Sequence, residues 1–406
     1  MASAAHQRIS VEEATALIAA AMPHWPAQRV PLEQALSAVL REDLLAERDQ
    51  PPFDRVTMDG IAVAASAFAD GRREFEVAGT QAAGAAAMHI SDSRQCVEVM
   101  TGSVLPAGTD SVIPVERIRR SGNHASVEAG YSIRAGQFVH RCGSDHRQGA
   151  RLLAAGSVIG PAEMAILTLG GRADVAVAAW PRIAVISTGD ELVEPGVAIG
   201  ASQIRSSNDR AIAAALRRRG FPRVSRSLLR DDPQELVREI GRLHAANEVL
   251  VLSGGVSMGQ FDHVPATLAA LGVEAIFHKV LQRPGLPLWF GRSGDGRLVF
   301  ALPGNPVSSL VCLVRYVLPG LARAMGASER PAQRYRLATP VDFTPDLTCF
   351  LPVTLACSDA GEVAVVPRPT NTSGDFVALG GTDGFVELPR GQDHFPAGYP
   401  ARYYGW

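Results

Sequence analysis

Lysine is almost missing from this 406-residue chain: Lys279 is the single one among 39 basic residues, and every other is arginine. Cysteine is scarce too. Cys96, Cys142, Cys312, Cys349 and Cys357 are odd in number and none shows CxxC spacing. That argues against a disulfide framework or a structural zinc site, and predicts reduced thiols acting as small apolar residues. A basic excess is lacking, with formal net charge -2, which argues against a general nucleic-acid binder but is compatible with a local pocket for a small anion. No run of about 18 apolar residues occurs, so no membrane span is expected. Met1 to Arg8 lacks the basic and apolar regions of a signal peptide, so cytoplasmic residence is the expectation. Neither a Ser-His-Asp order nor HExxH is found, and no internal repeat.

What is present is an ordinary globular composition, 47% apolar and 20% charged. At about 100–200 residues per domain, two to four domains are expected. The 39 glycines and 27 prolines favour turns and short strands over a helical bundle.

Ser10 and Glu13 have capping-box spacing, and Val11, Ala14, Leu17, Ile18 and Met22 follow on one helical face. A second short helix is predicted over residues 32–40. From 46 to 149, short alternating runs such as Glu74–Val77 and Cys96–Met100 predict a compact β domain. Residues 151–171 read as a strand and a helix returning to the first layer. From Arg182 onward, apolar strands alternate with helices: 183–186, 210–219, 223–229, a helix from Pro233, 248–252, 264–271, 275–280, 288–291, 298–301 and a long helix from Pro306. This predicts an α/β fold, a largely parallel sheet with helices on both faces. After Ala332 the pattern reverts to β.

Ligands of such sheets bind beyond the carboxyl ends of the strands. The polar and glycine-rich motifs sit there: Ser187-Thr188-Gly189-Asp190-Glu191, Asp231-Asp232, Ser253-Gly254-Gly255-Val256-Ser257, and Leu302-Pro303-Gly304-Asn305-Pro306. The Gly254-Gly255 turn reads equally as a structural turn or as a cradle whose backbone N–H groups surround a phosphate, with hydroxyls of Ser253 and Ser257 as further donors. Asp190, Glu191, Asp231, Asp232 and Asp262 share the edge. Beside an anion they imply a bridging divalent cation; helix capping and turn formation is the stronger reading for Asp190 and Asp232. In the β domain, Met58-Asp59-Gly60, Met100-Thr101-Gly102 and Gly143-Ser144-Asp145 each read first as turns. Lys279 beside His278, and Arg283, are basic groups near a strand end, where they serve a ligand or simply solvent. His263 reads as structural.

Together and in this order, these blocks, with Pro51-Pro52-Phe53-Asp54, Gln203-Ile204-Arg205 and Val307-Ser308, resemble the molybdopterin molybdenumtransferases, the MoeA and gephyrin E-domain family. The match runs from about residue 10 to the C-terminus. The resemblance implies four domains: a linking domain of residues 1–45 and 150–180, an inserted β-rich domain of 46–149, a molybdopterin-binding α/β domain of 181–328, and a small C-terminal β barrel of 329–406. It implies a homodimer with the site at the subunit interface. The implied reaction converts adenylylated molybdopterin and molybdate into molybdenum cofactor and AMP with magnesium. Implied partners are a molybdopterin adenylyltransferase and molybdoenzyme maturation factors.

Carried over residue by residue, the catalytic set is Asp59, Thr101, Asp145, Glu191, Asp231 and Asp262, and the metal ligands are Glu191, Asp231 and Asp262. The set for pterin and oxyanion is Ser187, Thr188, Gly189, Ser253, Gly254, Gly255, Ser257, Lys279, Arg283, Pro303, Gly304 and Asn305. The chain departs from the family pattern at Ser206 and Gln260, where acids are usual, and at Arg283, where lysine is usual. Retained acids favour an active insertase. The two lost carboxylates motivate an alternative, a non-catalytic pterin-binding paralogue acting as a carrier or maturation factor; a structural scaffold is a third reading.

Overall fold

The computed structural model describes residues 8–256 and 263–406, so Ser257, Gln260 and Asp262 lie outside the described residues. Two compact units emerge: Asp43–Ala154 with Glu163–Ala173, and Met1–Glu42 with Ala155–Ala162 and Asp174–Trp406.

The larger unit begins with helix α1 (Val11–Ala21). Its capping box forms as the sequence predicts: Ser10 Oγ accepts from the Glu13 N–H at 3.1 Å, and the Glu13 carboxylate accepts from the Ser10 N–H at 2.7 Å. Val11, Ala14 and Ile18 are buried, whereas Leu17 turns outward. The helix expected over 32–40 is not there. A single 3-10 turn, Leu32–Gln34, is followed by Ser37 in left-handed backbone, and Val39 and Leu40 bridge to Val158 and Val177. Sheet pairing by the β-branched Val39 and its neighbours outweighs a weak local helical preference.

The core of this unit is a six-stranded sheet of β1 (Ile183–Thr188), β2 (Val224–Leu229), β3 (Val249–Ser253), β4 (Val273–His278), β5 (Trp289–Ser293) and β6 (Leu298–Leu302), in the order β2-β1-β3-β6-β5-β4. The first four in that order are parallel. β5 runs against both β6 and β4, so β4 points the same way as the parallel four. Both faces of the sheet are covered. Ile183, Val185, Val249, Val251, Leu298 and Phe300 enter one core, and Ala184, Ile186, Leu250, Leu252, Val299 and Ala301 the other. That is why the strands read as continuous apolar runs rather than alternating ones. Helix α2 (Asn208–Arg218) follows β1, α3 (Pro233–Ala246) follows β2, α4 (Val264–Ala270) follows β3, and α5, Pro306–Ala324, follows β6.

Helix α5 is long and apolar enough to cross a membrane, but its most apolar window is 78% buried within the protein. Its middle turn, Leu313–Val317, is π-helical, a geometry that rotates side chains away from the ordinary helical register. Arg315 and Tyr316 on that turn are buried. Beyond it lies a closed five-stranded barrel of Arg334–Leu337, Thr348–Cys357, Val363–Pro367, Gly384–Leu388 and Pro400–Gly405, with its own core around Val353, Val386 and Phe395.

The smaller unit is built on a curled six-stranded sheet, with Gly60–Val63 between Ser111–Pro114 and Gln95–Val99, then Glu74–Gln81, His124–Val127 and Ile118–Ser121. Alternate residues feed two cores, Ile61 and Val63 one, Ala62 and Val97 the other. The Asp59-Gly60 pair is the entry to a strand, not a hairpin turn. A Cβ on Gly60 would lie 1.9 Å from the Ile113 carbonyl oxygen, so no other residue fits.

Candidate functional site

Parallel register brings the motif residues of the larger unit into line. Ser187 pairs with Leu228 and with Ser253, and Ser253 pairs with Leu302. The loops that follow therefore leave the sheet at one edge. Ser187 and Thr188 are buried strand residues. Glycine packs closely at three positions in two of these loops. A Cβ on Gly189 would lie 2.7 Å from the Glu191 carboxylate, one on Gly254 2.7 Å from the Thr188 carbonyl oxygen, and one on Gly255 2.7 Å from the Val264 side chain. Gly254 and Gly255 also hold φ of 104° and 67°, left-handed backbone that favours glycine. A Cβ on Gly304 would touch the Gly254 backbone at 3.4 Å, so the Gly254 loop and the Pro303-Gly304 turn are packed against each other.

Those loops share a hydrogen-bond chain with a fixed direction. The Asn208 side-chain amide donates to the Gly304 carbonyl at 2.7 Å and to Ser253 Oγ at 2.8 Å. Ser309 Oγ donates to the Pro303 carbonyl, and it lies 3.1 Å from Ser253 Oγ. A carbonyl only accepts, so Ser309 has given up its proton to Pro303, and the Ser253 hydroxyl must donate to Ser309. Ser253, expected as a ligand donor, thus serves the scaffold. Neither Asn208 nor Ser309 stood out in the sequence; only the meeting of three loops marks them.

The acids of this edge differ in role. Asp232 is the N-cap of α3, accepting from the Glu235 N–H at 2.7 Å, as its place before Pro233 predicts. Asp190 is exposed, opens no helix, and accepts from the Asp231 N–H at 3.3 Å. Asp231 is half-buried. Burial, then the neighbouring Glu191 and Asp190 carboxylates, push its pKa above the usual 3.8, against the opposing pull of the Thr188 hydroxyl and His263. An acid held in this repulsive field is a favourable place for a cation. Among the described residues no three His, Cys, Asp or Glu side chains converge as a metal cage. Of the three expected ligands, Glu191 and Asp231 are at this edge, and Asp262 lies outside the described residues.

Lys279 directly follows β4, in left-handed backbone with φ 75°. Because β4 runs with the parallel strands, Lys279 leaves the sheet at the same edge as the glycine loops. Its neighbour His278 donates from Nε2 to the Val256 carbonyl at 3.1 Å, tying this segment to the Gly254–Val256 loop. Arg283 is exposed, in a short strand that pairs with Thr348–Cys349 of the barrel. Neither Lys279 nor Arg283 has an ion-pair partner among the described residues. Asn305 donates to Ser373 Oγ at 2.7 Å.

Ser206 is not an open metal position. It is buried and donates to Asp209 Oδ1 at 2.8 Å; Asp209, fully buried, accepts from Arg226 Nε at 2.6 Å through its other oxygen. The hydroxyl here completes an internal polar cluster.

In the smaller unit, residues 42 apart in sequence meet: Asp59 Oδ1 accepts from Thr101 Oγ1 at 2.7 Å and from the Thr101 N–H at 2.6 Å. The hydroxyl first, then the backbone N–H, hold the Asp59 carboxyl below its usual pKa. Asp145 pairs with His140 at 2.9 Å. Asp54 accepts from the Cys142 N–H at 2.8 Å and from Arg141. Strand Arg55–Val56 carries these loops together, pairing with Val139–His140 on one side and exchanging hydrogen bonds with Gly102 and Ser103 on the other. All five cysteines are unpaired, and Cys96, Cys312 and Cys349 are buried. Two open clefts, of about 390 Å³ beside His24 and Arg323 and about 430 Å³ beside Ser37 and Trp180, contain none of the predicted site residues.

Three family models match in succession: the MoeA N-terminal region (domain I and II) over residues 9–171, a probable molybdopterin binding domain over 184–323, and the MoeA C-terminal region (domain IV) over 334–405. A molybdopterin molybdenumtransferase of Synechocystis sp. is 39% identical over 98% of this chain and 100% of its own length. One of Staphylococcus aureus is 30% identical over 96% and 94%. The crystal structure of a molybdopterin biosynthesis MoeA protein from Pyrococcus horikoshii superposes with a TM-score of 0.79 at 29% identity, covering 98% of this chain and 100% of that one. With full-length coverage, an aligned loop edge and the family's motifs in place, the chain belongs to the MoeA family of molybdopterin molybdenumtransferases and acts in molybdenum cofactor biosynthesis.

Proposed function

We propose that this protein binds adenylylated molybdopterin at the strand-end edge of the larger unit and inserts molybdate, releasing AMP. The observation that carries this reading is the close packing of Gly254 and Gly255 against Thr188, with Gly304 in contact with the Gly254 backbone, so that these loops present backbone without side chains at the strand-end edge. Exposed backbone N–H groups of such glycine loops suit a phosphate. Lys279 and Arg283, without acidic partners among the described residues, are the candidates to hold the tetrahedral oxyanion and offset its charge.

The donor set fits magnesium. That ion is usually held by one or two carboxylates with substrate phosphates rather than by an all-protein cage, and Glu191 and Asp231 are two such carboxylates. When bound, the cation would neutralise charge on the phosphoanhydride. The protein's own part is to present the Asp231 and Glu191 carboxylates to the cation, to align the anhydride over the glycine loops, and to hold the oxyanion with Lys279 and Arg283. We further propose a cytoplasmic homodimer in which Asp59, Thr101 and Asp145 of one subunit complete the site of the other; the ordered Asp59–Thr101 pair supports a functional role for that cluster.

Purified protein incubated with adenylylated molybdopterin, molybdate and magnesium should release AMP above the no-protein blank, and tungstate in a parallel arm reports oxyanion preference. Pterin binding without AMP release would overturn the catalytic reading in favour of a carrier.

A further inference from the structure

Asn208 has a place in the fold that the reaction described so far does not use. It stands at the first turn of α2, and its side chain crosses to two other loops. The amide orientation is settled by chemistry: the Gly304 carbonyl can only accept, so the nitrogen faces it and the oxygen points the other way. That oxygen, Oδ1, is buried without a hydrogen-bond partner among the described residues. A buried acceptor left unsatisfied costs the fold free energy.

The nitrogen holds together the Gly254 loop and the Pro303-Gly304 turn. Ser253 immediately precedes Gly254, and Gly304 packs on the Gly254 backbone. They are tied as well by the Gly254 N–H to the Leu302 carbonyl, a long hydrogen bond of 3.3 Å, and by Ser309, which bridges Ser253 Oγ and the Pro303 carbonyl. We propose that Asn208 is a positioning residue: its amide clamps the Gly254-Gly255 loop to the Pro303-Gly304 turn so that both present their backbones to the ligand's phosphate in one geometry. This rests on the reading of that edge as the pterin site.

Asn208→Asp is nearly isosteric but has no donor for Gly304, and Asn208→Ala removes the side chain altogether. In both, the KM for adenylylated molybdopterin should rise at least tenfold with kcat within about threefold, the pattern of lost uniform binding. Hydrogen exchange in the free protein should speed up together at residues 254–256 and 304–305, with the rest of the chain unchanged. Equal KM values and unchanged exchange in the two loops would overturn the proposal. So would a uniform rise in exchange across the whole chain, which would make the effect one of global stability. If the unsubstituted protein releases no AMP, the proposed reaction fails on its own, and the exchange arm alone decides the clamp.

Discussion

At the scale of single residues, the site is marked by side chains held against their own preference. Asp231 is the clearest. Its raised pKa means that the folded chain holds a proton there more tightly than the unfolded chain does. The folded state is therefore penalised as pH rises from 3.8 through the raised value, and the whole penalty is present at neutral pH. Asp231→Asn removes the charge. It should raise Tm at pH 7 by roughly 2 °C while abolishing AMP release, a stability gain coupled to loss of function. A scan at pH 3, where the carboxyl is already protonated, should show the difference vanish. Ser206 makes the opposite case. The family resemblance implied an acid there, but in this chain the hydroxyl donates to the buried Asp209. Ser206→Asp would set two carboxylates against each other and should cost about 2 kcal/mol or more in urea unfolding. An unchanged midpoint would mean that Arg226 neutralises both.

At the scale of elements, the π-helical turn of α5 joins the sheet to the barrel. Arg315 pairs with Glu387 of the barrel at 2.9 Å, donates to Thr15 of α1 at 3.1 Å, and lies against the rings of Tyr316 and Tyr404. Tyr316 donates to Gln282, whose amide donates in turn to the Pro284 carbonyl at 3.1 Å. One turn of helix thus fixes α1, the segment that carries Arg283, and the barrel. Removing one partner of a buried pair strands the other charge. Glu387→Ala should therefore destabilise the protein by about 3–5 kcal/mol, whereas Glu387→Gln, which keeps an acceptor, should cost less; chemical denaturation of both variants checks the order.

At the scale of the whole molecule, the residues assigned to the reaction divide between two compact units, Asp59 and Thr101 in one, Glu191 and Asp231 in the other. If the proposed dimer shares its sites between subunits, Asp59→Asn and Asp231→Asn proteins, each inactive alone, should regain up to about a quarter of full activity when refolded together. A random mixture places both intact halves at one of the two sites in half of the dimers. No recovery in mixed dimers would show that each site lies within a single chain.

The sequence alone determined the α/β alternation, the capping box at Ser10, the N-cap at Asp232 and the strand-end placement of the glycine motifs, because each depends on local spacing or on the two faces of a buried strand. Tertiary structure decided the rest. Residues 32–40 gave up a helix for sheet contacts, Gly60 turned out to be required by the Ile113 carbonyl, and Ser253 was drawn into a chain with Asn208 and Ser309. The reason is physical: local propensities act over a few residues, whereas the fit of a backbone against another loop, and the direction of a hydrogen bond between three loops, exist only once distant segments have met.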